Sequence, residues 1–122
     1  NQANVVFLHK NILETSVLPE QFDIIVSNPP YVRQLEKTEI QPNVLEHEPH
    51  LALFVDDNDP LLFYKKIAAL AQQSLTDKGK LYFEINQYLG AETTDMLQHM
   101  KFSQVELRKD IYGNDRMIKV LI

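Results

Sequence analysis

Asn28-Pro29-Pro30-Tyr31 is the segment of this chain best suited to chemistry. Each proline locks its own φ and holds the residue before it extended, so the backbone around Asn28 and Pro29 is fixed. The Pro29 carbonyl meets no Pro30 N–H and is free to point into a cleft, and the Asn28 side chain offers a second carbonyl acceptor. Two rigid acceptors side by side grip both hydrogens of one planar NH2 group. Tyr31 supplies a flat face for an amide or a base. An amide nitrogen is a poor nucleophile because its lone pair is delocalised into the carbonyl. Accepting both N–H bonds returns electron density to nitrogen and aims the lone pair for in-line attack on a methyl sulfonium. Orientation of this kind is worth up to about 7–11 kcal/mol. No strong base is needed first, because the nitrogen becomes acidic once methylated. The plain alternative is a surface turn, since Asn-Pro marks turns.

The elements around this segment must place it. Phe22-Asp23-Ile24-Ile25-Val26-Ser27 reads as a strand covered on both faces, as in a parallel sheet, and the Asn-Pro-Pro-Tyr run ends it abruptly. Ligand sites of open α/β sheets lie just outside such strand ends. Val5-Val6-Phe7-Leu8 reads as an earlier buried strand. Residues 32–58 form a long polar loop, of the kind that is functional or mobile. Asp59-Pro60 predicts a helix start, with Asp as N-cap and Pro at the first helical position. Phe63, Ile67, Leu70, Ala71 and Ser74 form its apolar stripe, and Lys78-Gly79 predicts its end. A strand over 80–85, a helix over 89–100 and strands over 102–108 and 116–122 follow. Strands alternating with helices argue for a parallel α/β sheet. The last two strands, joined by the turn Tyr112-Gly113-Asn114-Asp115, must be antiparallel.

The chain has 122 residues, one domain's worth. It has no cysteine, which excludes disulfides, Cys-ligated metal and thiol catalysis. Twelve Lys and Arg against 17 Asp and Glu give a net charge of −5, which disfavours nucleic acid as the principal partner. No apolar run approaches the ~20 residues of a membrane helix, and the N-terminus lacks a signal-peptide layout. With no starting methionine, the chain reads as a piece of something longer.

Residues 22–31 resemble the methyl-transfer motif of the HemK/PrmC methyltransferases. Three further blocks match in order. Glu48-Pro49 with Ala52-Leu53-Phe54 resembles that family's Glu-Pro-x-x-Ala-Leu-Phe segment. Gly79 through Ile85 resembles its Gly-x-Leu-x-x-Glu-Ile strand, and Lys109-Asp110, Gly113, Asp115 and Arg116 resemble its C-terminal Lys-Asp-x-x-Gly-x-Asp-Arg. The resemblance implies S-adenosylmethionine-dependent methylation of the glutamine side-chain nitrogen in the Gly-Gly-Gln loop of peptide chain release factors, in the cytoplasm. Asn28, Pro29, Pro30 and Tyr31 would bind the glutamine amide, with Asn28, Pro29 and Tyr31 catalytic. Asn11, Ile12 and Asn28 would approach the cofactor. Asn11 stands where the family carries Asp, and Asn86 where it carries glycine.

The resemblance also implies the fold: the C-terminal portion of a class I, Rossmann-like sheet, mostly parallel with an antiparallel C-terminal hairpin. Residues 1–122 would be a partial catalytic domain without the Gly-rich cofactor loop, since the only glycines are 79, 90 and 113. The isolated chain is expected to be inactive and to bind S-adenosylmethionine weakly or not at all. The family's strand order, 3-2-1-4-5-7-6, would leave the strand over 22–26 as an exposed edge. That edge would pair with a second chain or be covered by a rearranged first strand. The alternatives are an adenine-amino methyltransferase of DNA or RNA, which would use the same motif but needs a basic groove, and a non-catalytic binding module.

Other constellations carry less. His47-Glu48-Pro49-His50 is one residue short of zincin spacing and is broken by Pro49. Asp56-Asp57-Asn58-Asp59 lacks a calcium loop's glycine and distal Glu, and reads as a solvated turn. His9 and His99 are isolated. Glu84 reads either as a site carboxylate or as a structural partner of Arg116, the structural reading being preferred, and Asp110 with Arg116 reads as an ion pair of the final hairpin.

Overall fold

The computed structural model of the chain describes residues 4–33, 36 and 54–122. A four-stranded sheet carries the fold. Its strands are β1 (Phe22–Ser27), β4 (Leu75–Glu84), β5 (Gln104–Lys109) and β6 (Asp115–Leu121), in the order β1-β4-β6-β5. β1 and β4 are parallel, and β6 runs antiparallel to both β4 and β5. This is the 4-5-7-6 part of the order that the resemblance implies. A separate two-residue ladder joins β2 (Val32–Arg33) to β3 (Phe54–Val55). It sits inside the stretch read from sequence as one irregular loop, because two-residue strands leave no periodic signal.

Two helices, α1 (Leu62–Ser74) and α2 (Gly90–His99), pack on one face of the sheet. Tyr64, Ile67, Ala68 and Ala71 recur at helical spacing and meet Leu81 and Phe83 of β4, Ile118 and Val120 of β6, and Leu97 of α2. Among the described residues no helix covers the other face. There Ile24 is 59% and Val26 74% exposed, so β1 is covered on one face and not on both. Its Ile-Ile-Val run suits two-sided cover, but only Ile25 meets the core.

Val5 to Leu8 form no strand and are exposed. A strand needs a ladder partner, and no described strand lies beside them; β-branched residues express their preference only in that context. The segment therefore does not cover the free edge of β1.

Both ends of α1 differ from expectation. Pro60 and Leu61 lie in a turn, with the Leu62 N–H donating to the Asp59 carbonyl at 3.2 Å. The Asp59 carboxylate takes Lys65 Nζ at 3.3 Å rather than capping the helix. The helix ends at Ser74 because Leu75 turns extended, and Gly79 lies within β4. Residues 76–79 bulge opposite Asp23, between the pairs Phe22–Leu75 and Ile24–Lys80, and Thr76 Oγ1 donates to Asp23 Oδ1 across the bulge at 2.9 Å. A Cβ on Gly79 would stand 2.8 Å from Leu75 Cβ and 2.9 Å from the Thr76 carbonyl oxygen. Gly79 is there for close approach, not for a left-handed cap. The left-handed glycine is Gly113, at φ 82°, in the β5–β6 turn.

Candidate active site

Because β1 and β4 are parallel, their C-terminal ends lie on the same side of the sheet. Asn28-Pro29-Pro30-Tyr31 follows β1 there, and Ile85-Asn86 follows β4. Pro29 is buried, Pro30 and Tyr31 are half-buried, and Asn28 is exposed with no hydrogen-bond partner among the described residues.

Tyr31 is held at both ends. Its hydroxyl donates to Glu84 Oε1 at 2.7 Å and accepts from Arg116 Nη1 at 3.3 Å. Its backbone carbonyl accepts from Asn86 Nδ2 at 2.9 Å. Burial, the bond to Glu84 and that carboxylate's charge push the phenol up to about 12, against a smaller opposing effect of Arg116. At neutral pH it is a fixed donor. Glu84 and Arg116 are thus not a direct ion pair; the Tyr31 hydroxyl lies between them.

Arg116 Nε also donates to Asp110 Oδ2 at 3.3 Å, the pair expected from sequence. Asp110 Oδ1 accepts from the N–H groups of Tyr112 and Asn114, at 2.9 and 3.0 Å. The Asn114 N–H leads in holding the Asp110 carboxyl below its usual range. The β5–β6 turn is thereby tied to Tyr31 through one arginine.

A second network lies beneath. The buried Asn86 donates to Glu36 Oε2 at 2.8 Å, and Glu36 accepts from Arg33 N and Nε at 2.8 and 3.0 Å. Burial alone would raise the Glu36 carboxyl. The Arg33 and Asn86 bonds outweigh it and leave the group below its ordinary value. Asn86 Oδ1 accepts from the Tyr88 N–H and caps the short turn Gln87–Leu89. An asparagine at 86 therefore does what a glycine could not. Sequence reasoning gave no role to Glu36 or Asn86, whose partners stand 50 positions apart.

A cavity of about 280 Å³ opens beside the motif, lined by Ile12, Leu18, Ile25, Pro29, Pro30 and Phe63 among others. Ile12 and the prolines are thus brought together. Asn11 is not among the lining residues. Its Oδ1 accepts from the Leu13 N–H at 3.0 Å, capping the turn Ile12–Glu14. The cavity's apolar walls suit the flat face of a purine, and Asn28 is a free polar group on the adjoining loop.

Among the described residues no group of three His, Cys, Asp or Glu could hold a metal. His47 to His50, and the Glu48-Pro49 block up to Leu53, lie outside the described residues. Asp56 Oδ1 accepts from the Asn58 N–H at 3.0 Å, as in an ordinary acidic turn.

No family model matches the chain. It is 64% identical over 120 residues to a release factor glutamine methyltransferase of Flavobacterium psychrophilum, a match covering 98% of this chain and 42% of that protein. A protein of the same name from Bacteroides thetaiotaomicron is 47% identical over 117 residues, covering 95% and 42%. Among solved structures, the protein-(glutamine-N5) methyltransferase (release factor-specific) of Alicyclobacillus acidocaldarius matches with a TM-score of 0.51 and 25% identity, over 82% of this chain and 48% of that one. The chain spans about two-fifths of the length of the curated relatives it matches.

Proposed function

This chain belongs to the release factor glutamine methyltransferases, and we propose that the protein carrying it methylates the side-chain nitrogen of the Gly-Gly-Gln glutamine in peptide chain release factors. Within that reading residues 1–122 are part of the catalytic domain, the part that holds the substrate amide.

The observation that carries the reading is the Asn28-Pro29-Pro30-Tyr31 loop, set at the C-terminal end of β1 and clamped at both ends of Tyr31. The Asn28 side-chain carbonyl and the Pro29 backbone carbonyl accept the two amide hydrogens. Pro30 keeps that backbone from relaxing, and the Tyr31 ring bears on the amide plane. S-adenosylmethionine supplies the methyl group as a sulfonium. Ile12 would give its purine an apolar wall. Asn11 has its carbonyl committed to its own turn, so its share in binding falls to its amide NH2. The cytoplasmic location follows from the substrate, since release factors act on ribosomes. No helix among the described residues is long and apolar enough to cross a membrane.

The test is methyl transfer from labelled S-adenosylmethionine by the complete protein, offered a release factor or adenine-containing DNA or RNA. Label is expected on the release factor and lost when its Gly-Gly-Gln glutamine is replaced. Label on nucleic acid instead would establish the adenine reading, and label on neither would leave a binding module.

A further inference from the structure

Tyr31 is the point where the rigidity of the two prolines runs out. Its ring is half-buried and packs against the core cluster, and among the described residues its hydroxyl finds no partner in its own segment. The hydroxyl is fixed instead from residues 53 and 85 positions away. The 2.7 Å bond to Glu84 lies within the usual range for a hydroxyl donating to a carboxyl oxygen. Glu84 makes no other side-chain hydrogen bond among the described residues, so this half-buried carboxylate is devoted to one tyrosine. A structural ion pair would have joined Glu84 to Arg116 directly. Here Arg116 reaches past it, bonding Asp110 with Nε and the tyrosine with Nη1.

We infer that Glu84 and Arg116 are positioning residues for methyl transfer. They touch neither the methyl group nor the amide. They set the plane of Tyr31 and, through the rigid prolines, the aim of the Asn28 and Pro29 acceptors. The inference rests on the function proposed above and gives the Tyr31 hydroxyl a task that stacking alone does not. The hydroxyl stays protonated far above neutral pH, so the clamp holds its geometry across the physiological range.

The test uses the complete enzyme with a release factor. Tyr31→Phe and Glu84→Leu are expected to lower kcat about tenfold, the kinetic equivalent of one charge-assisted hydrogen bond. KM for the release factor and Kd for S-adenosylmethionine should stay within about twofold. Glu84→Gln, which keeps an acceptor, should recover part of the loss. A kcat untouched in Tyr31→Phe, or a loss confined to KM, overturns the inference while leaving the proposed function standing. Absence of transfer by the unmodified enzyme removes both. A second readout needs no turnover: the ring-carbon NMR signal of Tyr31, identified by its loss in Tyr31→Phe, followed as pH rises. Glu84→Gln should move that titration to lower pH, and an unmoved titration overturns the clamp.

Discussion

Tyr64 and Phe83 meet edge to face, with ring centroids 5.0 Å apart and planes at 85°. The Tyr64 hydroxyl continues past the ring and donates to the Glu84 backbone carbonyl at 2.9 Å. Helix α1 is therefore pinned to the residue whose side chain holds Tyr31. Tyr64→Phe keeps the ring pair and strands a carbonyl, at a cost of about 1–3 kcal/mol in urea unfolding. An unfolding midpoint equal to the parent's would show that this bond contributes nothing.

Asn28 should behave differently, being exposed and unbonded. Asn28→Ala in the complete enzyme removes one amide acceptor, so kcat on a release factor should fall about ten- to a hundredfold. Calorimetric binding of S-adenosylmethionine and the melting temperature should change little. Normal turnover would sink the role assigned to this side chain.

The Glu36 carboxyl is depressed in the folded chain below its ordinary value of 4.5. A depressed carboxylate adds stability that is present in full above the unfolded value and withdrawn as pH falls through the folded one. Stability should thus be flat in this respect above about pH 4.5 and decline below it. Glu36→Gln should flatten the acid limb of a pH series of urea unfolding curves. Identical acid limbs would assign the decline to other groups.

Among the described residues β1 pairs only with β4, and Val26 stands 74% exposed on the uncovered face. A free apolar edge is a template for another chain. The 122-residue chain by itself should sediment as concentration-dependent oligomers, and Val26→Lys should shift it toward monomer. A monomer across the whole concentration range would refute this.

Residue types and local spacing made both helices and the position of the Asn-Pro-Pro-Tyr loop legible, and the family resemblance supplied the sheet order. Most of the misreadings share a physical cause: the residue's role depended on a distant neighbour. Val5 to Leu8 carry strand propensity with no described strand paired to them. Gly79 after Lys78 looks the same whether it caps a helix or admits the close approach of Leu75 and Thr76 within a bulge. Ile24 and Val26 are apolar enough for two-sided burial but have cover on one side. The Tyr31 hydroxyl network joins three segments that no periodicity links. The available signal was that Glu84 and Arg116 stand inside two of the blocks carrying the family resemblance.

β6 comes last along the chain yet fills an interior slot of the sheet, between β4 and β5. A chain emerging from the ribosome therefore presents β4 and β5 before the strand that joins them exists. β6 meets β5 as a local hairpin, but its pairing with β4 joins distant parts of the chain and waits on loop closure. Arg116 is the second residue of that strand. The Arg116 arm of the clamp on Tyr31 is thus added by the same event that completes the sheet. A nascent chain caught before β6 would hold its Asn-Pro-Pro-Tyr loop without the Arg116 contact and two strand edges open, a state for chaperones rather than for catalysis.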